Sequence, residues 1–538
     1  MARRAAVIVV AAVIVFLAVV RLRVANIPLE RDEGEYAYNG QLILDGVPPF
    51  SMAYNMKFPG VYYAYSAIMA VFGQTPWGIH TGVMIVNAAA ILILFFLTQR
   101  LLRNSTAAVV AAVSYGFLSA DRFIMGIFGH AAHFVALAAL AGLLVLFRAI
   151  DSRRYSLFIV AGVLLGISVL MKQNGAFFLG LGGGLALWSG FKTGMRGLTA
   201  GIGRAALVGG GAAIPLGALV AVLRAQGVLE KFWFWTIAYA SQYVSQVSLG
   251  EAWQLFWDTL GRITEATAPI WLLGLAGAIL LWIAPWSWEV RGLLTAFFVV
   301  SAAAVCPGFF FRQHYFILLL PALSVFCGVA ALSIERLIGA RISADLGRAV
   351  AVGLVLMTIG VCAYREWDYF FAVPMRQLSR EIYGDNPFVE APEIAKYIQA
   401  HTTPDDRIAV LGSEPEIYFY AKRKSATGYI YMYPLMERQK YSGQMQDEMI
   451  SEITAAHPKY IVYVNVATSW LARNSKERIL TWSRAYLDAC YQIVGVGDIV
   501  SADETHWAWD DQVRGFQPRS GAVIFTLVRK SDVPCAVS

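Results

Sequence analysis

Apolar runs of bilayer-crossing length recur along most of this chain, and they constrain its fold more than any other feature. The first covers residues 5–20; the others cover 80–97, 106–118, 131–147, 156–170, 176–188, 205–223, 269–283, 293–305, 315–332 and 349–363. Together they predict about eleven membrane spans, several of them short. Charged residues fill 15% of the 538 positions and hydrophobic ones 58%, where an average soluble domain is about 25% charged. A soluble globular protein, a disordered chain and a collagen-like repeat are excluded, and most of residues 1–365 reads as one membrane-embedded unit.

Met1-Ala2-Arg3-Arg4 before an apolar run resembles a signal peptide, but Arg21, Leu22, Arg23 and Val24 stand where small cleavage-site residues belong. The expectation is an uncleaved first helix. With a cytoplasmic N-terminus, the inner connections hold Arg3, Arg4, Arg100, Arg103, Arg148, Arg153, Arg154, Lys192, Arg196, Arg336 and Arg341, as the positive-inside rule requires. An odd number of spans then puts residues 365–538 outside the cytoplasm, with two long outer loops at 24–78 and 224–268. The expected location is a bacterial-type cytoplasmic membrane. The balance of 43 Lys+Arg against 36 Asp+Glu gives +7, and the basic residues sit between apolar runs, so nucleic acid is not an expected partner and the lipid bilayer is. Of five cysteines, Cys327 and Cys362 lie in apolar runs, and Cys490 and Cys535 form a pair if their domain is exported.

Phe232, Trp233, Phe234, Trp235, Tyr239, Tyr243, Trp253, Phe256 and Trp257 crowd the second outer loop, which predicts interfacial helices lying on the bilayer. After Tyr364 the composition changes. Helix-like segments at 391–401, 445–456 and 475–488 alternate with strand-like ones at 408–412, 460–464, 491–496 and 522–528, predicting a small α/β domain. The expected division is a membrane module at 1–364 and an outer domain at 365–538.

Just after the first run comes Pro28-Leu29-Glu30-Arg31-Asp32-Glu33-Gly34-Glu35-Tyr36-Ala37-Tyr38, with four carboxylates in six residues at the outer membrane face. Such a cluster either complements a helix dipole in a solvated loop or supplies a general base that deprotonates an acceptor as it attacks a sugar carbon. Asp32 is the candidate base. Downstream, Asn55-Met56-Lys57-Phe58-Pro59-Gly60 offers a lone cation on the same side. Lys57 either snorkels at the interface or holds a phosphate that departs with negative charge.

On these residues the chain resembles the GT-C class of membrane glycosyltransferases: a first helix, an acidic pair with a nearby tyrosine (Asp32, Glu33, Tyr36), then Lys57 and Pro59 before the second helix. Within that class it is most similar to the protein O-mannosyltransferase-like superfamily, which includes the aminoarabinose transferase of lipid A and the Rgt-type galacturonosyltransferases. The resemblance implies transfer of a sugar from a polyprenyl-phosphate carrier to an acceptor on the outer face, with inversion at the anomeric carbon and without a nucleotide sugar. It implies that Asp32 is the catalytic acidic residue, that Lys57 contacts the carrier phosphate and that Glu33 completes the motif. Where the aminoarabinose enzyme has an arginine, this chain has Glu35.

Other positions stand beside this motif. Asp121, in Ser119-Ala120-Asp121-Arg122, is either the further acidic residue of the class or a local partner of Arg122. His130 and His133, one helical turn apart, either hold a divalent metal with a carboxylate or pack and cap a helix; a zinc site is associated with part of the family. Arg312-Gln313-His314-Tyr315 opens the tenth run on the outer side, where Arg312 and His314 meet a phosphate and Tyr315 sugar hydroxyls. Lys172 either snorkels or holds a carrier head group. Residues 411–418, Leu-Gly-Ser-Glu-Pro-Glu-Ile-Tyr, resemble a segment that shapes the C-terminal domains of these transferases. No Gly-x-Gly-x-x-Gly or Walker A loop is present, and the glycines at 180–184 and 209–211 fall inside apolar runs, where they permit close helix packing.

The expected activity is therefore polyprenyl-phosphate-sugar-dependent glycosyl transfer to a cell-envelope acceptor: lipopolysaccharide or lipid A, another glycan, a lipid or a protein. A transporter or flippase, the alternative from another class, places charges near mid-membrane and shows internal repeats, whereas here the acids lie at the outer surface. A non-catalytic assembly protein leaves the acidic cluster unexplained.

Overall fold

The computed structural model describes residues 3–191, 195–472 and 477–530, so Lys192 and Cys535 lie outside the described residues, as does the side chain of Arg196. Cys490 is disulfide-bonded. Helices run over Arg3–Arg23 (α1), Arg31–Leu44 (α2), Gly60–Phe72 (α3), Pro76–Leu102 (α4), Ser105–Leu118 (α5), Ala131–Ser152 (α6), Tyr155–Met171 (α7), Gly175–Phe191 (α8) and Met195–Ala225 (α9). They continue over Leu249–Thr264 (α10), Ala268–Ile283 (α11), Trp288–Ala303 (α12), Leu320–Arg341 (α13) and Ala344–Arg365 (α14).

Nine of the eleven predicted runs fall wholly within a helix, and the ninth, 293–305, passes the end of α12 by two residues; apolar backbone in lipid must satisfy its own hydrogen bonds. The chain is a multi-pass membrane protein. Among the described residues six helices are long and apolar enough to cross a bilayer alone, namely α1, α4, α6, α9, α13 and α14, and α10 with α11 forms a further pair bent by 113°. The tenth run begins later than its composition suggests. Residues Gln313–Leu318 make a 3₁₀ turn, and α13 starts at Leu320 with Pro321 in its first turn, where the missing N–H costs nothing. The glycine expectation holds only in part: Gly211 lies against the backbone of Ile159 and Gly162, and Gly182 against Leu165, but Gly180, Gly183, Gly184, Gly209 and Gly210 meet nothing within 4 Å.

The connections α1–α4, α5–α6, α7–α8, α9–α11 and α12–α13 share one end of the bundle with the C-terminal unit. That unit is a six-stranded mixed sheet in the order β2-β1-β3-β6-β4-β5, made of Arg407–Leu411 (β1), Lys424–Ser425 (β2), Tyr460–Asn465 (β3), Tyr491–Ile499 (β4), Thr505–Trp509 (β5) and Val523–Arg529 (β6). Strands β1, β2 and β3 are parallel and the others antiparallel. Helices Ala391–Ala400, Ser442–Ala456 and Arg478–Cys490 match the helix-like segments. The edge strand β5 escaped sequence analysis; its Trp507 and Trp509 pair with Gly497 and Gly495 of β4 and cover the space those glycines leave.

The aromatic outer loop divides in two. On α10, Leu249, Trp253 and Trp257 are exposed along one face, as an interfacial helix requires. Phe232, Trp235 and Tyr239 are instead buried, with Trp235 stacked on Tyr54 and close to Tyr429. These three rings do not lie on the bilayer: Trp235 and Tyr239 fasten the loop to Tyr429 and Glu437 of the C-terminal unit, and Phe232 packs on Phe50 and Phe58 of the first outer loop, where more apolar area leaves water.

Candidate active site

The acidic motif forms the first turn of α2, and helical geometry sends its carboxylates in different directions. Glu30 is the N-cap: its carboxylate accepts the Glu33 N–H at 2.9 Å, and the Glu33 carboxylate accepts the Glu30 N–H at 3.3 Å. Glu33 is fully buried, accepting the Gly129 N–H at 2.5 Å and hydrogen-bonding His80 Nε2 at 3.0 Å. Asp32 and Glu35, three residues apart, share a face. Lys57 Nζ bridges them, 2.7 Å from Asp32 Oδ1 and 2.8 Å from Glu35 Oε2, above the Tyr36 ring at 4.6 Å. Tyr62 OH donates to Glu35 Oε1 at 2.5 Å.

A cavity of about 660 Å³ opens beside this turn. Glu30, Arg31, Asp32 and Lys57 form one wall, and His130, Lys172, Arg312, His314 and Tyr315, from three other connections on the same side, form the next. Lys172 stands 3.9 Å over the Tyr315 ring. Thr236, Tyr239, Tyr243, Asp258 and Arg262 close a third side, and Asn386, Tyr431, Tyr433, Glu437 and Thr468 of the C-terminal unit close the fourth. Tyr431 OH donates to Asp32 Oδ1 at 3.1 Å.

The two carboxyls that the first turn of α2 brings to the cavity are electrostatically unlike. Burial alone would raise the Asp32 carboxyl, but the Lys57 ammonium, with His314 and His130 beside it, holds it well below the usual range. Burial, reinforced by Asp32 and Glu33, pushes Glu30 well above that range. Burial also raises Glu35 despite its contact with Lys57. Asp32 is thus the ionised carboxylate that this turn presents to the cavity.

His130 and His314 stack with ring centroids 4.1 Å apart. Their Nδ1 and Nε2 atoms lie 3.8 and 3.7 Å from Asp32 Oδ2. These ligand atoms all fall within 4.8 Å of one another, and both ring nitrogens of His130 lack a hydrogen-bond partner. Burial lowers the His130 imidazole to about 4, which leaves it neutral and able to ligate. Two neutral imidazoles and a carboxylate fit a divalent cation such as zinc. His133 is elsewhere: buried, with neither nitrogen hydrogen-bonded, and not on the cavity. The pairing of His130 with His133 is replaced by His130 with His314.

Other sequence expectations separate in the same way. Asp32, Lys57, Lys172, Arg312, His314 and Tyr315 come together on the cavity. Glu33 lies on another face of α2, and Glu35 and Tyr36, one turn beyond Asp32, are covered by Lys57. Lys57 is not a lone cation, and neither Lys57 nor Lys172 snorkels. Asp121 is off the cavity: it caps its own turn through the Phe123 and Ile124 N–H groups at 2.7 and 3.0 Å and accepts from Thr267 at 3.0 Å. Nor is it the partner of Arg122, which pairs with Glu366 and Glu381. The 411–418 segment reaches the site through Glu414, which pairs with Arg31 at 2.9 Å. Sequence analysis does not single out Tyr431 or Glu437; the alternating tyrosines of Tyr429-Ile430-Tyr431-Met432-Tyr433 are a signal for the first, and Glu437 has none.

The fold is that of the GT-C class of membrane glycosyltransferases. It is similar to ArnT from Cupriavidus metallidurans bound to undecaprenyl phosphate, with a TM-score of 0.59, 16% identity and 98% of each chain covered. The apo state of that protein matches with a TM-score of 0.57 and 16% identity over 96% of this chain and 98% of that one. The archaeal oligosaccharyltransferase AglB from Archaeoglobus fulgidus, in complex with an inhibitory peptide and a dolichol-phosphate, matches with a TM-score of 0.51 and 13% identity over 97% of this chain and 76% of that one. By sequence, residues 56–200 match the dolichyl-phosphate-mannose-protein mannosyltransferase family. No curated protein matches the chain.

Proposed function

We propose that this protein is an inverting glycosyltransferase that moves a sugar from a polyprenyl-phosphate carrier to a cell-envelope acceptor at the outer face of the cytoplasmic membrane. In this reading residues 1–364 form the membrane module, with eleven spans and a cytoplasmic N-terminus, and residues 365–538 form an outer domain. The observation that carries it is the single cavity in which an ionised carboxylate, Asp32, stands beside the cations Lys57, Lys172 and Arg312.

Lys57 is already engaged by two carboxylates, whereas Lys172 and Arg312 have no acidic partner among the described residues. The carrier phosphate therefore binds between Lys172 and Arg312, with Lys57 beside it, and its apolar tail leaves sideways into lipid. Lys57 and Tyr431 occupy Asp32 Oδ1, so Oδ2 is the oxygen that takes the acceptor's proton. The acceptor oxygen bonds to the anomeric carbon, the bond from that carbon to the phosphate oxygen breaks, and its electron pair leaves with polyprenyl phosphate. The cations stabilise the charge that develops on that phosphate. Glu33 and Glu35 position this turn and do not touch substrate. Asp32, His130 and His314 would hold a divalent cation, Asp32 through the same Oδ2, and such an ion would supply Lewis acidity to the acceptor hydroxyl in place of proton removal by Asp32.

The test is mass spectrometry of the purified protein incubated with a panel of polyprenyl-phosphate sugars and envelope extract. Donor consumption with a glycosylated product is expected from the wild type and not from Asp32→Asn. Equal turnover by both proteins contradicts the assignment of Asp32; turnover by neither contradicts the transferase.

A further inference from the structure

A second cavity, of about 230 Å³, lies on the far side of the loop that closes the third wall of the main one. One π-helical turn, Phe234–Tyr239, separates the two: Thr236 and Tyr239 line the main cavity, and Phe234 and Trp235 line the second. Its floor is aromatic, since Tyr54, Trp235 and Tyr429 are each buried and pack on one another with ring centroids 5.2 to 5.8 Å apart. Its rim is charged and exposed, made of Glu230, Lys231 and Glu448. Each rim charge has capacity to spare. Glu230 makes no hydrogen bond or ion pair among the described residues. One oxygen of Glu448 accepts from Tyr429 OH at 2.7 Å, and the other has no partner among the described residues. Lys231 Nζ donates to Tyr54 OH at 2.7 Å, has no acidic partner among the described residues and keeps two further N–H groups.

Two carboxylates and one ammonium that leave each other unpaired around one cleft match a ligand carrying the reverse pair, an ammonium joined to a phosphate. The three floor rings pack on one another and so offer no open cage of ring faces to a quaternary ammonium; a primary ammonium, with three N–H donors for carboxylate oxygens, is the better fit. A purely anionic group would meet two carboxylates against one lysine. The position of the cleft says where such a ligand comes from. Lys231 comes shortly after the end of α9, a helix long and apolar enough to cross the bilayer. Beside the cleft, on the neighbouring face of the same stretch, Trp233 and Ile237 are 60% and 48% exposed, as side chains set in the interfacial layer are. We infer that the second cavity binds the phosphoethanolamine head group of a membrane lipid. Its ammonium lies between Glu230 and Glu448, its phosphate accepts from Lys231, and its acyl chains run past Trp233 and Ile237. The inference stands apart from the transferase reading.

The test offers the full chain in detergent an equimolar mixture of phosphatidylethanolamine, phosphatidylcholine and phosphatidylglycerol with the same acyl chains, and counts retained lipid by native mass spectrometry. Phosphatidylethanolamine should be retained in preference to the other two. Glu230→Gln together with Glu448→Gln should cut that retention about tenfold or more, the loss expected for hydrogen bonds to charged groups, and Lys231→Met should cut it by a similar factor. The two carboxylates are exposed, so the double substitution should leave the melting transition in place. Glu230→Lys should turn the preference towards phosphatidylglycerol, a gain that a misfolded protein cannot show. Equal retention of the three lipids by the wild type, or phosphatidylethanolamine retention that survives the double substitution, overturns the inference. Soluble phosphoethanolamine that displaces the lipid at equal concentration also overturns it, by assigning the cleft to a soluble ligand.

Discussion

Lys57 holds two carboxylates at once, and much of the site's chemistry follows from that. Removing one partner of a buried ion pair leaves uncompensated charge, so Lys57→Met should destabilise the protein by about 3–5 kcal/mol, and Glu35→Gln on that background should recover part of the loss. Thermal unfolding in one detergent checks both. Tyr431 acts on the same carboxylate from the opposite wall. A donor to a carboxylate lowers its pKa, so Tyr431→Phe should raise that of Asp32 and move the acid limb of the pH–rate profile to higher pH. With a charge-assisted hydrogen bond lost, kcat should fall roughly tenfold or more while the donor KM holds. An unmoved acid limb would make Tyr431 a packing residue. Asp32 and Lys57 were legible in the sequence because each sits in a short polar motif next to an apolar run. Tyr431 was not, because its partner is 399 positions away in sequence.

Helix α2 is fastened along its length to the C-terminal unit. Arg31 donates to the Ser413 carbonyl and pairs with Glu414, and at Gly34 a Cβ would lie 2.7 Å from the Glu416 backbone nitrogen. Gly34→Ala should push α2 away from that unit and carry Asp32 with it. The expected result is a loss of transfer of about 100-fold with the protein still folded, checked by initial rates beside a melting curve. Near the first turn of the C-terminal unit, burial next to Asp121 raises the Glu366 carboxyl to about 8, against the opposing pull of Arg122. A folded-state pKa above the unfolded one means stability that is complete at low pH and declines as pH rises from about 4.5 through about 8. The melting temperature should therefore fall between pH 6 and 9, and less so in Glu366→Gln; parallel curves would contradict this. Element types were readable where periodicity was strong, in the apolar helices and in β1, β3, β4 and β6. Strand β5 was not, because Thr505-His506-Trp507-Ala508-Trp509 pairs only at the sheet edge and carries little apolar alternation.

At the scale of the whole molecule, every second connection between apolar helices delivers residues to one cavity, and the C-terminal unit covers it. The alternation of basic and acidic-aromatic loops signalled that arrangement in advance. What no loop composition signals is which side chains turn inward: Glu33 and Glu35 share a motif with Asp32 yet face protein, and His314, from the far end of the bundle, stacks on His130. The most direct test of the account is a cryo-EM structure of Asp32→Asn with a polyprenyl-phosphate sugar bound in nanodiscs. The account predicts the phosphate between Lys172 and Arg312, the anomeric carbon facing residue 32, and the tail leaving into lipid. A phosphate on the Glu437 wall, or a head group outside this cavity, would contradict it.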